Sequence, residues 1–159
     1  MDDSTLSDIG KALGRIPSGC AILPARSRRG ATGMLASWVQ QTAFEPPAVT
    51  VAVKKGRPIE SYIDESGGMA LNLIGEDPSA MFRHFGRGFG PGEEAFEGLQ
   101  TRAVDGGIAL DGAIAVLSCR VTAKHDAGDH WLYIAHVTAA EAPADGRPYV
   151  HLRKNGLGY

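Results

Sequence analysis

Apolar residues fall at Leu6, Ile9, Leu13 and Ile16, the spacing of one helical face. They predict an opening helix with Asp3 or Ser4 as N-cap and Pro17 as its stop. After it the period drops to two. "CAIL" (20–23) is a short apolar run ended by Pro24, and residues 24–33 read as a basic, glycine-bearing hairpin loop. "MLASWVQQTA" (34–43) reads as a long strand. Strict alternation puts Met34, Ala36, Trp38 and Gln40 on one face and Leu35, Ser37, Val39 and Gln41 on the other. Polar groups on both faces make neither an ordinary core face. "AVTVAVK" (48–54) alternates cleanly, with Val49, Val51 and Val53 together. Pro58 suits a first helical position before the stripe Ile59, Tyr62 and Ile63.

"GMALNLI" (68–74) is the next strand. Asp77 and Pro78 open a helix that buries Met81, Phe82 and Phe85 and stops at Gly86. Residues 86–98 hold five glycines and a proline and predict a loop. Residues 113–123 and 131–142 are long, alternating and β-branched, with "KHDAGDH" (124–130) as a turn or short bulged loop between them. Six or seven strands, one helix first and two short helices between, predict a mostly β fold, a closed or partly open antiparallel barrel formed by one domain over residues 1–159.

Composition narrows the class. A formal charge of −2 gives no electrostatic case for nucleic acid or an anionic membrane. No apolar run is long enough to span a bilayer, and the acidic, polar start is not a secretory signal, so a cytoplasmic protein is expected. Cys20 and Cys119 lie in apolar runs and read as buried thiols. Gly86, Gly88 and Gly90 alternate without forming G-x-G-x-x-G, which argues against a dinucleotide fold of the Rossmann kind. "HDAGDHWLY" concentrates His125, Asp126, Asp129 and His130, but a metal site there would need three ligands from one tight turn, and no metal is expected. His136 shares a face with Leu132 and Ile134 and reads as a core histidine; His84 reads as a helix-surface residue or, alternatively, as a partner of a phosphate or of the loop.

Four stretches in order, "GMLASWVQQTAFEPPAVTVAVKK", "GMALNLI", "MFRHFGRGFGPGEEAFEGL" and "AIAVLSCRV…GDHWLYIAHV", resemble the flavin reductase-like, FMN-binding split-barrel family over residues 9–159. The likeness extends to the tail "VHLRKNGLGY" and is strongest to the module that ends certain flavodiiron oxygen reductases. The resemblance implies a Greek-key split β-barrel, a homodimer with flavin near its interface, and electron transfer from NADH or NADPH to FMN, with FAD as the alternative. Electrons would pass on to free flavin, a partner oxygenase or another acceptor.

For the flavin phosphate it implies Ser37, Gln40 and Gln41 together with Lys54, Lys55 and Arg57 beside a helix start; for the ring, the strand carrying Ala36 and Trp38. Ile59 stands where many relatives carry a hydroxyl residue, which shifts the load to Ser37, Lys55 and Arg57. Asn72 either satisfies barrel backbone or touches flavin. The match covers only "GDH" of the turn, so His130 is the candidate catalytic residue, oriented by Asp129, and His125 and Asp126 are turn residues. A non-catalytic flavin carrier and a cofactor-free interaction module are the other readings.

Overall fold

Every long strand follows from a two-residue period, and their closure follows from one strand that pairs on both sides. The computed structural model describes residues 2–142 and 145–159. Helix α1 (Asp3–Gly14) leads into β1 (Ser18–Ser27), β2 (Gly30–Phe44) and β3 (Pro47–Lys54). Then come α2 (Ile59–Ser66), β4 (Gly68–Leu73), α3 (Ser79–Phe85), the hairpin β5 (Thr101–Val104) and β6 (Gly107–Leu110), and β7 (Ala115–Ala127), β8 (His130–Glu141) and β9 (Val150–His151). The antiparallel order β2-β3-β8-β7-β4-β1 closes by pairing of β1 with β2, a six-stranded barrel. β9 adds to β1 through Ser18↔His151 and Gly19↔Val150.

The barrel core takes alternate residues: Val51 and Val53 of β3, Met69 and Leu71 of β4, and Tyr133 and Ala135 of β8 are all 0% exposed. β1 is buried on both faces. Ala21 and Leu23 enter the barrel, while Cys20 and Ile22 join Phe85 and Leu110 in a second apolar cluster outside it. That double burial is why "CAIL" is continuously apolar.

Four local expectations are corrected. Residues 24–33 are not a loop: β1 runs through Pro24 and turns over Arg28 and Arg29 alone, with Ser27 opposite Gly30. Pro24 is tolerated because β4 pairs β1 only at Ala21 and Ile22, before the proline. The turn between β7 and β8 is also only two residues, Gly128 and Asp129, with Gly128 at φ 81°. His125 and Asp126 are therefore strand residues of β7. His136 shares its face with Leu132 and Ile134 as expected, but that face looks away from the barrel core and leaves it half-buried. Helix α1 is capped by Asp2, whose carboxylate accepts the Thr5 N–H at 2.8 Å. Its stripe is not buried: Leu6, Leu13 and Ile16 are 45%, 43% and 62% exposed. Its contact face is Gly10 and Gly14 instead. A Cβ on Gly14 would lie 2.7 Å from the Arg153 carbonyl oxygen, so glycine there lets the tail backbone close on the helix.

The hairpin β5–β6 gave no periodic signal and was not expected. Helices α2 and α3 sit where the sequence places them, with Ile59, Tyr62, Ile63 and Phe85 buried. Among the described residues no helix is long and apolar enough to cross a membrane.

Candidate functional site

The site begins with an irregularity in β2. Gly19 pairs with Val39 and Ala21 with Ala36, so Ser37 and Trp38 together face one residue of β1. This is a β-bulge, which adds a residue to one strand and re-aims its side chains. Alternation placed Ser37 and Trp38 on opposite faces; with the bulge, both line one cavity of about 520 Å³. Ala36, 2% exposed, stays at the wall between that cavity and the barrel core.

Register supplies the next pair. β3 and β8 align Lys54 opposite His130, on the face pointing away from the barrel core. His130 is 6% exposed, its ring 4.7 Å from that of Trp38. Its Nδ1 lies 2.8 Å from Asp129 Oδ1 in the tight turn. The hydrogen bond from His130 holds the Asp129 carboxyl below the usual aspartate range. An ionised carboxylate only accepts, so Nδ1 carries a proton. In the neutral ring Nε2 then accepts the Tyr159 hydroxyl, 2.7 Å away.

The segment after β9 completes the site. Arg153 donates to Ser37 Oγ at 2.5 Å and stacks its guanidinium 4.6 Å above the Trp38 ring. His151 lines the cavity with a buried Nδ1 that has no hydrogen-bond partner among the described residues. Burial, and then the Arg153 charge, lower its pKa, so the ring is held neutral. From the other side come Arg57, Phe85, Gly86 and Gly88, which brings the start of α2 and the end of α3 to the same space. His84 is no surface residue: its Nε2 lies 2.8 Å from the Ala95 carbonyl and fastens the glycine-rich loop. A smaller cavity of about 260 Å³ adjoins, lined by Lys54, Asp129 and His130. The two share Trp38, Arg153, Gly158 and Tyr159 as a common wall.

The predicted residues thus divide. Ala36, Ser37, Trp38 and Arg57 meet in the larger cavity, and Lys54 and His130 in the smaller. Gln40, Gln41, Lys55 and Asn72 line neither. The glutamine amides donate to the nearby Gln41 and Ala43 carbonyls on an exposed stretch of β2. Lys55 is held by Asp126 at 2.8 Å and lies 4.4 Å over the Trp131 ring. Asn72 is 1% exposed, and both ends of its amide bond β6: to the Ile108 carbonyl at 2.9 Å and from the Leu110 N–H at 2.7 Å. Of the two roles open to Asn72, this is the backbone-holding one.

Arg153, His151 and Tyr159 were not singled out. The tail entered the sequence reading through its likeness to the flavodiiron module, with none of its residues named, because no period links it to β2. Both cysteines are free and buried, and burial pushes the Cys20 thiol up to about 11 and the Cys119 thiol up to about 12. Among the described residues no group of three or more His, Cys, Asp or Glu could hold a metal ion.

Comparison with known proteins follows the geometry. Residues 13–156 match the flavin reductase like domain. Diflavin flavoprotein A 1 of Synechocystis sp. (strain ATCC 27184 / PCC 6803 / Kazusa) is 40% identical over 156 residues, covering 96% of this chain and 27% of its own. A putative diflavin flavoprotein A 3 of Nostoc sp. (strain PCC 7120 / SAG 25.82 / UTEX 2576) is 36% identical with the same coverage. The chain therefore spans about a quarter of the length of these curated relatives. Among solved structures, the NADH:FAD oxidoreductase of Streptomyces globisporus C-1027 superposes with a TM-score of 0.82 at 20% identity, covering 92% of this chain and 86% of that one. The styrene monooxygenase flavin reductase of Pseudomonas putida S12 gives 0.76 at 25% identity, covering 89% and 90%.

Proposed function

The chain belongs to the flavin reductase-like domain family, and on that premise we propose that it is an NAD(P)H-dependent flavin oxidoreductase that holds FMN. The observation that carries the reading is the pair of adjoining cavities with one shared wall. Two flat ligands must meet face to face for hydride transfer, and two cavities that share Trp38 and Arg153 offer that arrangement.

The larger cavity fits a flavin by size and by chemistry. Its volume of about 520 Å³ lies within the usual range for ligand sites, roughly 300–1,000 Å³. Met34, Ala36 and Phe85 give apolar cover; Ser37, Arg57 and Arg153 give a donor and two cations for a phosphate or a polar ring edge. The orphaned His151 Nδ1 is a further polar atom at that wall. A bound flavin supplies the two-electron acceptor chemistry. The protein's part is to bind, orient and exclude water. His130, fixed by Asp129, would position the nicotinamide and stabilise developing charge; hydride transfer needs no general base.

FMN is the flavin proposed, with FAD as the alternative, because Arg57 and Arg153 in the larger cavity offer cations to the phosphate that both carry. A homodimer is proposed from the outer face of β3 and β8, where Leu132 and Ile134 are only half-buried, and from Phe44, 90% exposed at the β2–β3 tip. The electron acceptor is free flavin, a partner oxygenase or another acceptor, and the buried thiols accord with a reducing cytoplasm.

The test is direct. FMN-loaded protein under anaerobic conditions receives NADH or NADPH, and the flavin absorbance is followed. Bleaching by at least one nucleotide is expected. Yellow protein that neither bleaches is a carrier; protein that takes up no flavin is neither.

A further inference from the structure

Tyr159 sits where the second ligand would have to go. Its hydroxyl takes His130 Nε2, and since Asp129 already holds Nδ1, the histidine has no free ring nitrogen. Its ring lies 6.4 Å from the Trp38 ring, and Lys54 Nζ lies 5.6 Å from its centroid. All five residues line the smaller cavity.

Yet Tyr159 covers the histidine from the outside. It is 76% exposed, whereas the His130 it covers is 6% exposed. The segment behind it is anchored in steps: Arg153 on Ser37 and Trp38, the Arg153 N–H to the Gly14 carbonyl at 3.3 Å, and the Gly156 N–H to the Gly10 carbonyl at 2.8 Å. Beyond Gly156 the holds are local: the Leu157 N–H donates to Asn155 Oδ1 at 2.9 Å, and Tyr159 is held by the dock that it fills. A Cβ built on Gly158 would meet nothing within 4 Å. The root of the segment is clamped to α1, and the backbone at Gly158 has room around it.

We propose that Tyr159 is a displaceable placeholder: in the free protein its ring and hydroxyl occupy the dock on Trp38 and His130 that a nicotinamide ring takes in turnover. The inference rests on the reductase reading for the identity of the incoming ligand. A nicotinamide presents the same flat aromatic face, and its carboxamide N–H can donate to His130 Nε2 as the tyrosine hydroxyl does. Self-occupancy lowers the apparent affinity for the nucleotide in proportion to the fraction of time the dock is free. Tyr159 therefore acts through His130 and sets the concentration at which the nucleotide enters.

Wild type, Tyr159→Phe and Tyr159→Ala are compared as full chains, each saturated with FMN. NAD+, which cannot reduce the flavin, is titrated by calorimetry, and anaerobic bleaching is followed against NADH and NADPH concentration. Tyr159→Phe, which loses only the hydroxyl, should bind NAD+ about fivefold more tightly, the ratio set by about 1 kcal/mol at 25 °C, which is the net size of one intramolecular hydrogen bond. Tyr159→Ala, which also vacates the place of the ring, should bind more tightly still. The half-saturating NAD(P)H concentration should drop in the same order, a direction that loss of a merely supporting residue would not produce. NAD+ affinity that is equal in all three proteins, or weaker in Tyr159→Ala, overturns the placeholder whether or not the flavin is reduced. Tighter NAD+ binding by Tyr159→Ala, in a protein whose flavin neither nucleotide bleaches, retains the placeholder and removes the reductase reading alone.

Discussion

His130 is the residue on which the two cavities turn. It is packed against an indole, hydrogen-bonded at both nitrogens and paired in register with Lys54. Replacing it by alanine removes the ring that would orient the nicotinamide. Stopped-flow bleaching of the FMN-loaded His130→Ala protein should slow about 10- to 100-fold, for a loss of roughly 1.4–2.7 kcal/mol. His125→Ala should change the rate less than about twofold, because His125 is an exposed residue of β7. Equal rates for wild type and His130→Ala at every nucleotide concentration would remove the histidine from the site. At this scale the sequence announced Ser37, Trp38, Arg57 and His130 through the motifs that carry them. It could not announce Arg153 or Tyr159. Their partners lie far away along the chain, and a cation stacked on an indole leaves no periodic trace in either segment. Nor could it show that Lys55 would be spent on Asp126 or Asn72 on β6, since both depend on register across separate strands.

Among the elements, the β5–β6 hairpin has the most concentrated attachment. Four-residue strands are marginal alone, and Asn72 binds this pair to the barrel with both ends of its amide. Asn72→Ala strips the Ile108 carbonyl and the Leu110 N–H of their partner, at about 1–3 kcal/mol for a buried group left unsatisfied. The urea midpoint should fall, and amide hydrogen exchange at residues 107–110 should accelerate before that of β3 or β8. Exchange that rises uniformly, or a midpoint that does not move, would show that the hairpin is held by its apolar contacts instead. Periodicity found the long strands because each buries a face. It misjudged the turns for opposite reasons: Pro24 was weighed as a breaker although β1 needs no β4 partner there, and the polar stretch 124–130 hid four residues of β7. β5 and β6 escaped notice because four residues are too few to show a period.

At the scale of the molecule, barrel closure leaves β2, β3 and β8 to present an outer face that is half apolar, with Phe44 at its far tip. Light scattering over a dilution series should report a mass of twice the 16.7 kDa chain. A monomer that still retains flavin would show that the site needs no second copy. The fold class was legible as a whole because two periods, 3.6 and 2, and the glycine-marked breaks between them leave few architectures for a chain of this size. One further property belongs to the whole. The backbone of α1 and the segment after β9 touch at Gly10 with Gly156 and at Gly14 with Arg153. Helix α1 and the segment after β9 therefore share one patch, which draws the first and last elements of the described chain together. A host polypeptide joined at that patch would not have to bridge the module's diameter. Geometrically this is a pendant, hung from the side where its first helix meets its last segment, with the candidate cleft beside the point of suspension.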